Sequence, residues 1–117
     1  MNQNQNIGRY GEDRAVEFLK RLGYGLVERN WRGPSGEIDI VAKDGDCLVF
    51  AEVKTRTRLG FGHPFEAITE DKIRRMRALA SQWCQAHNLG VALVRLDAIS
   101  VLVRDGRVTI EHLKQVF

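Results

Sequence analysis

No apolar run in the chain approaches the roughly 18 residues of a membrane-spanning helix. The opening Met-Asn-Gln-Asn-Gln-Asn has neither the basic nor the apolar region of a secretory signal. A soluble, cytoplasmic protein is the expectation. Cysteine is scarce: the two residues, Cys47 and Cys84, are far apart and in no paired spacing. That leaves a disulfide framework or a structural zinc site without support, and free buried thiols are the reading. A large charge surplus is also lacking, since 18 Lys and Arg against 15 Asp and Glu give a formal +3. Charge alone therefore argues only weakly for an anionic partner. No internal repeat or low-complexity tract divides the chain, and 117 residues with 44% hydrophobic composition fit one domain, 1–117, whose residues 1–6 read as a frayed terminus.

What is present has a helix, three strands, helix, strands order. Ala15, Val16, Leu19 and Leu22 recur at three- and four-residue steps and predict a helix from Gly8 to about Leu22, stopped by Gly23. Stepping that stripe back by three or four residues lands on Glu12, a carboxylate on a face that should be buried. A short strand is expected from Tyr24 to about Asn30, then a turn at Gly33-Pro34-Ser35-Gly36. Two strands, 37–42 and 47–55, flank Asp44-Gly45, a strong hairpin signal. Residues 59–65 read as a glycine-rich loop. A second helix is expected over 67–87 with Ile73, Met76, Ala80, Trp83, Cys84 and His87 on one stripe. Strands at 91–96, 99–103 and 108–113, the last two separated by Arg104-Asp105-Gly106, complete an α/β sandwich with a central mixed sheet.

The chemistry turns on hairpin register. With Asp44-Gly45 at the tip and Lys43 facing Asp46, Val41 faces Leu48, Asp39 faces Phe50 and Glu37 faces Glu52. Asp39 and Glu52 are then diagonal neighbours on one face, with Lys54 two residues along. That face also carries Val41, Leu48 and Phe50, so the first helix, with Glu12, is the expected cover. Anions gathered in a partly dry site need a cation. Mg²⁺, or Mn²⁺, suits such a set, because Mg²⁺ takes one or two carboxylates and keeps water and phosphate oxygens elsewhere. Metal-assisted phosphodiester hydrolysis follows as the expectation. Asp39, Glu52 and the backbone carbonyl of Val53 hold the metal, Glu12 assists, and Lys54 orients or deprotonates the attacking water. Arg32, Arg56 and Lys72 contact backbone phosphates.

Gly11-Glu12, then Gly36-Glu37-Ile38-Asp39-Ile40-Val41-Ala42, then Glu52-Val53-Lys54-Thr55-Arg56 resembles the PD-(D/E)xK nuclease superfamily, and within it the archaeal Holliday junction resolvases. The whole chain also resembles the bacterial UPF0102, or YraN-like, family, through the Gly60-Phe61-Gly62 loop and the second helix. The resemblance implies a restriction-endonuclease-like fold, metal-bound Asp39 and Glu52, a catalytic Lys54 and a helix-one acid at Glu12. Thr55 falls where resolvases often have serine or threonine, and Ile38 replaces the proline of the superfamily's name.

Each residue also has a plainer reading. Glu12 could serve the helix dipole, Asp39 could pair with Arg32 or Arg56, and Glu52 with Lys54 could be an ordinary ion pair. Glu37 is placed in a supporting role, His63 as structural, His87 as a satisfied core histidine, and Trp31, Trp83 and Phe61 as packing residues. A structure-selective endonuclease on branched or single-strand-containing DNA therefore competes with a catalytically silent nucleic-acid-binding module and with an adaptor. A homodimer would suit a resolvase, which must cut two strands.

Overall fold

In the computed structural model, which describes residues 3–58, 68–90 and 92–116, helix α1 (Gln3–Arg21) leads into strands β1 (Gly25–Gly33), β2 (Gly36–Asp44) and β3 (Cys47–Arg56). Helix α2 (Glu70–Ala86) and strands β4 (Val94–Arg104) and β5 (Arg107–Leu113) follow. The strands form one sheet in the order β1-β2-β3-β4-β5. Only the β3–β4 pair is parallel. Parallel neighbours need a long crossover, and α2 lies within it. Each helix packs on its own face of the sheet, giving the α/β, restriction-endonuclease-like sandwich. No described helix is long and apolar enough to cross a membrane.

Helix α1 begins at Gln3, inside the segment expected to fray, because a nucleated helix gains a hydrogen bond with each added residue even without an apolar stripe. Its stripe buries Ala15, Val16 and Leu19, whereas Leu22 is exposed. The chain leaves the helix at Leu22 through a left-handed Gly23 (φ 92), with Tyr24 N–H donating to the Leu19 carbonyl and Gly23 N–H to that of Lys20. Helix α2 starts three residues later than expected, where the Thr69 hydroxyl accepts the Lys72 N–H at 3.2 Å. It buries Met76, Leu79, Ala80, Trp83 and Cys84. His87 is not a core residue. It lies past the helix end, stacks on Trp83 with centroids 3.9 Å apart and faces Glu28 at 3.3 Å.

Two register expectations are corrected. The β2–β3 turn places Gly45 and Asp46 at its tip, with Asp44 paired to Cys47, Lys43 to Leu48 and Val41 to Phe50. Gly45, at φ 61, supplies the positive φ that the first central residue of a type II′ turn requires. The pairing thus moves by two residues, which preserves the faces. The cover also differs: Val41, Leu48 and Phe50 pack under α2, while Ile40, Ala42, Val49 and Ala51 pack under α1.

The expected break between two strands near Asp97 is absent, and β4 runs through it. Asp97 is fully buried and held by fixed donors. Arg95 reaches both its oxygens at 2.9 Å, His112 Nε2 stands 2.7 Å from Oδ2, and the Gln115 N–H is 3.3 Å from Oδ1. Arg95 also donates to Asp44 at 2.9 Å and to the Tyr24 hydroxyl at 2.6 Å. Burial pushes the Asp97 carboxyl up, but the His112 and Arg95 hydrogen bonds and the Arg95 charge outweigh it and hold the group below its ordinary range. Removing one partner of such a buried charge set leaves the other uncompensated. Asp97→Ala should therefore lose about 3–5 kcal/mol of unfolding free energy in urea titrations; an unchanged midpoint would contradict this role.

Candidate active site

Towards the carboxyl ends of the parallel strands, one residue step past the level at which Ala51 lies between Ile40 and Asp97, β2 and β3 part. Regular pairing runs from Asp44↔Cys47 to Ile40↔Ala51. At the next step the Asp39 side chain takes over, its Oδ2 accepting the Val53 N–H at 2.8 Å. Face alternation also breaks at Asp39: Ile40 belongs to the core under α1 and Ile38 to the core under α2. The half-buried carboxylate consequently borders hollows on both sides of the sheet.

Glu12 approaches from α1. An added Cβ at buried Gly11 would collide with Thr55 Oγ1 and lie 2.7 Å from Thr55 Cβ. Glycine is thus what lets the helix sit against β3 at this level. Glu12 is oriented by β1, with Oε1 accepting from Arg29 Nε at 3.1 Å, Arg29 Nη2 at 3.0 Å and Asn30 Nδ2 at 3.0 Å. Arg29 Nη2 also donates to Asp13 at 2.7 Å.

Glu52 and Lys54 continue the alternation of Leu48 and Phe50 and so lie on the α2 side. Arg75 of α2 stands 3.4 Å from Glu52, while Lys54 is exposed. Glu37 pairs with Arg32 across the β1–β2 ladder at 3.3 Å, a contact worth little at the surface. The acids therefore border, from different sides, the point where β2 and β3 part, rather than sharing one strand face.

Glu12, Asp39, Val53, Thr55 and Arg56 line an open cleft of about 600 Å³. An adjoining hollow of about 950 Å³ shares Glu12 and is bordered by Arg9, Arg29 and Arg32. Acids thus occupy the middle, with arginines at both ends. Arg56 Nε is buried without a hydrogen-bond acceptor among the described residues. Lys72 is half-buried in the first turn of α2 and lines neither hollow. Among the described residues, no three His, Cys, Asp or Glu side chains form a ready metal cage. The oxygen chemistry of Asp39, Glu12 and Glu52 nevertheless fits Mg²⁺, which needs few protein ligands.

Burial pushes the Asp39 carboxyl from 3.8 up to about 6; the Val53 N–H opposes the rise, and repulsion from Glu12, Glu52 and Glu37 adds to it. Three acids are thus close enough for Asp39 to feel their charge. The site residues expected from the sequence did not include Arg29, Arg75 or Asn30. The left-handed φ of 54 at Asn30, inside a strand, has no apolar-pattern signature. Phe61, His63 and the Gly60-Phe61-Gly62 loop lie outside the described residues.

A family model described as "Uncharacterised protein family UPF0102" matches residues 11–101. A UPF0102 protein of Renibacterium salmoninarum is 50% identical over 109 residues, 92% of each chain. One from Beutenbergia cavernae is 49% identical over 117 residues, 99% of each chain, and one from Rhodococcus opacus is 42% identical over 118 residues, 100% of each.

Two outcomes follow from the geometry. Gly11→Ala should cost about 1–3 kcal/mol of stability, as overpacking does, and a thermal melt matching wild type would contradict the close approach. For Asp39, a pKa above its unfolded value means that its stabilising contribution is complete below about 3.8 and is lost as pH rises through about 6. Without divalent ions, Asp39→Asn should hence be more stable than wild type by about 1–2 kcal/mol at pH 7, the full shift being worth about 3 in a dry site. That advantage should fade towards pH 4. A variant equally or less stable at pH 7 would show that the carboxylate is not under strain.

Proposed function

The chain belongs to the UPF0102 family, and we propose that it is a Mg²⁺- or Mn²⁺-dependent endonuclease-like protein hydrolysing DNA phosphodiester bonds, on branched or single-strand-containing DNA. The observation that carries this reading is Asp39, a half-buried carboxylate that lines an open cleft with Glu12 and is raised to about 6 by burial and by repulsion from Glu12, Glu52 and Glu37. A structural role would not require that repulsion, whereas a cation site does.

Asp39 and Glu52, with the Val53 carbonyl, would hold the ion, and Glu12 would steady its water. When bound, the ion supplies Lewis-acid polarisation of a phosphate and acidifies a water molecule. Lys54, two residues beyond Glu52, would orient that water and balance charge on the phosphate in the transition state. Arg56, whose Nε has no acceptor among the described residues, would bind flanking phosphates without reading bases, with Arg32 at the other end of the groove and Lys72 on α2. Thr55, against Gly11, keeps helix and strand in place, and Glu37 supports Arg32.

One observation favours a second reading. Arg29 on Glu12 and Arg75 on Glu52 already neutralise two of the acids without an ion, as a silent nucleic-acid-binding module would allow. The two separate on four-way-junction, flap and single-stranded DNA with Mg²⁺, Mn²⁺ or EDTA. The nuclease reading expects metal-dependent cleavage that falls at least about 100-fold in Asp39→Ala and Lys54→Ala. Salt-sensitive binding, equal in wild type and both variants and without cleavage, would establish the module instead.

A further inference from the structure

We propose that Asn30 is a positioning residue for Glu12, turning one of its carboxylate oxygens inward to β1 so that the other is left for the cleft. The inference rests on the metal-site reading above and deepens it. Asn30 stands between the pairs Arg29↔Ile40 and Trp31↔Ile38, and so opposite Asp39 across the β1–β2 ladder. Both strands change faces at this step. Arg29 reaches Glu12 on the α1 side and Trp31 packs with the α2 core, as Ile40 and Ile38 divide on the neighbouring strand.

The step is made with a left-handed backbone at Asn30, φ 54. Asparagine is among the few residues that visit this region readily, and a non-glycine residue held there carries strain of order 1 kcal/mol. Glycine would make the same turn at lower cost. What asparagine adds is its amide: Nδ2 donates to Glu12 Oε1 at 3.0 Å. With Arg29 Nε and Nη2, three donors converge on that single oxygen. Among the described residues, every hydrogen bond that Glu12 accepts falls on Oε1. Oε2 is left without one, and Glu12 lines the Asp39 cleft.

Asn30→Gly separates the turn from the amide, since it keeps the positive φ and removes the donor. Mn²⁺ affinity of the full chain, measured by calorimetry without DNA, gives a readout independent of cleavage. Asn30→Gly should melt within about 3 °C of wild type and bind Mn²⁺ up to about tenfold more weakly, as loss of an outer-shell contact of a metal site does. Glu12→Gln should also weaken binding, and in that background Asn30→Gly should change affinity less than about twofold, the non-additivity of two residues acting through one contact. Asn30→Gly at wild-type affinity, an undiminished effect in the Glu12→Gln background, or a Glu12→Gln that binds normally would each overturn the positioning role while leaving the metal site intact. A wild type that binds no Mn²⁺ would overturn the metal-site reading and this inference together.

Discussion

Two strands that stop pairing one residue before a carboxylate set the arrangement of everything around it. From Asp44 to Ile40, β2 is zipped to β3; at Asp39 the side chain itself captures the Val53 N–H. The ladder loses its regularity, the strand turns its side chains over, and an acid comes to border hollows on both faces of the sheet. Helix α1 can deliver Glu12 to that point because Gly11 lets it press on Thr55. β1 matches the reversal of β2 with one left-handed residue, Asn30, in the opposing position.

Two aspartates on adjoining parts of the sheet show what this arrangement means energetically. Asp97 is fully buried and sits below its ordinary pKa range, because Arg95 and His112 are built around it. Asp39 is less buried, yet is raised to about 6, since its one described hydrogen bond is a neutral N–H and its charged neighbours are acids. The same side chain is therefore stabilised as an anion at Asp97 and left short of positive charge at Asp39. The first pattern belongs to structure. The second is the pattern on which the proposed cation site rests.

Much of this was legible in sequence, for identifiable reasons. Apolar periodicity located both helices because Ala15, Val16 and Leu19, and Met76, Ala80 and Trp83, face packed sheet surfaces. Carrying the first stripe back one turn found Glu12. The hairpin signal of Asp44-Gly45 was sound, but Gly45 occupies the first central position of the turn rather than the second, so the register moved by two residues. Which helix covers which face was not legible, since Leu48 and Val49 are both apolar and β3 is buried on both sides. Asp97 read as a strand break because its partners His112 and Gln115, unlike Arg95, are distant in sequence. Asn30 escaped because a left-handed residue within a strand leaves no mark on hydrophobic patterning.

A groove with acids at its centre and arginines at both ends is what the proposed polyanion and cation would need, and Arg56 Nε has no acceptor among the described residues. Crystals grown with Mn²⁺ and measured at an energy where manganese scatters anomalously would test this most directly. The account predicts one anomalous peak within ligand distance of the Asp39 carboxylate, about 2.0–2.3 Å. No peak there, with Asp39 still bound only to the Val53 N–H, would contradict it.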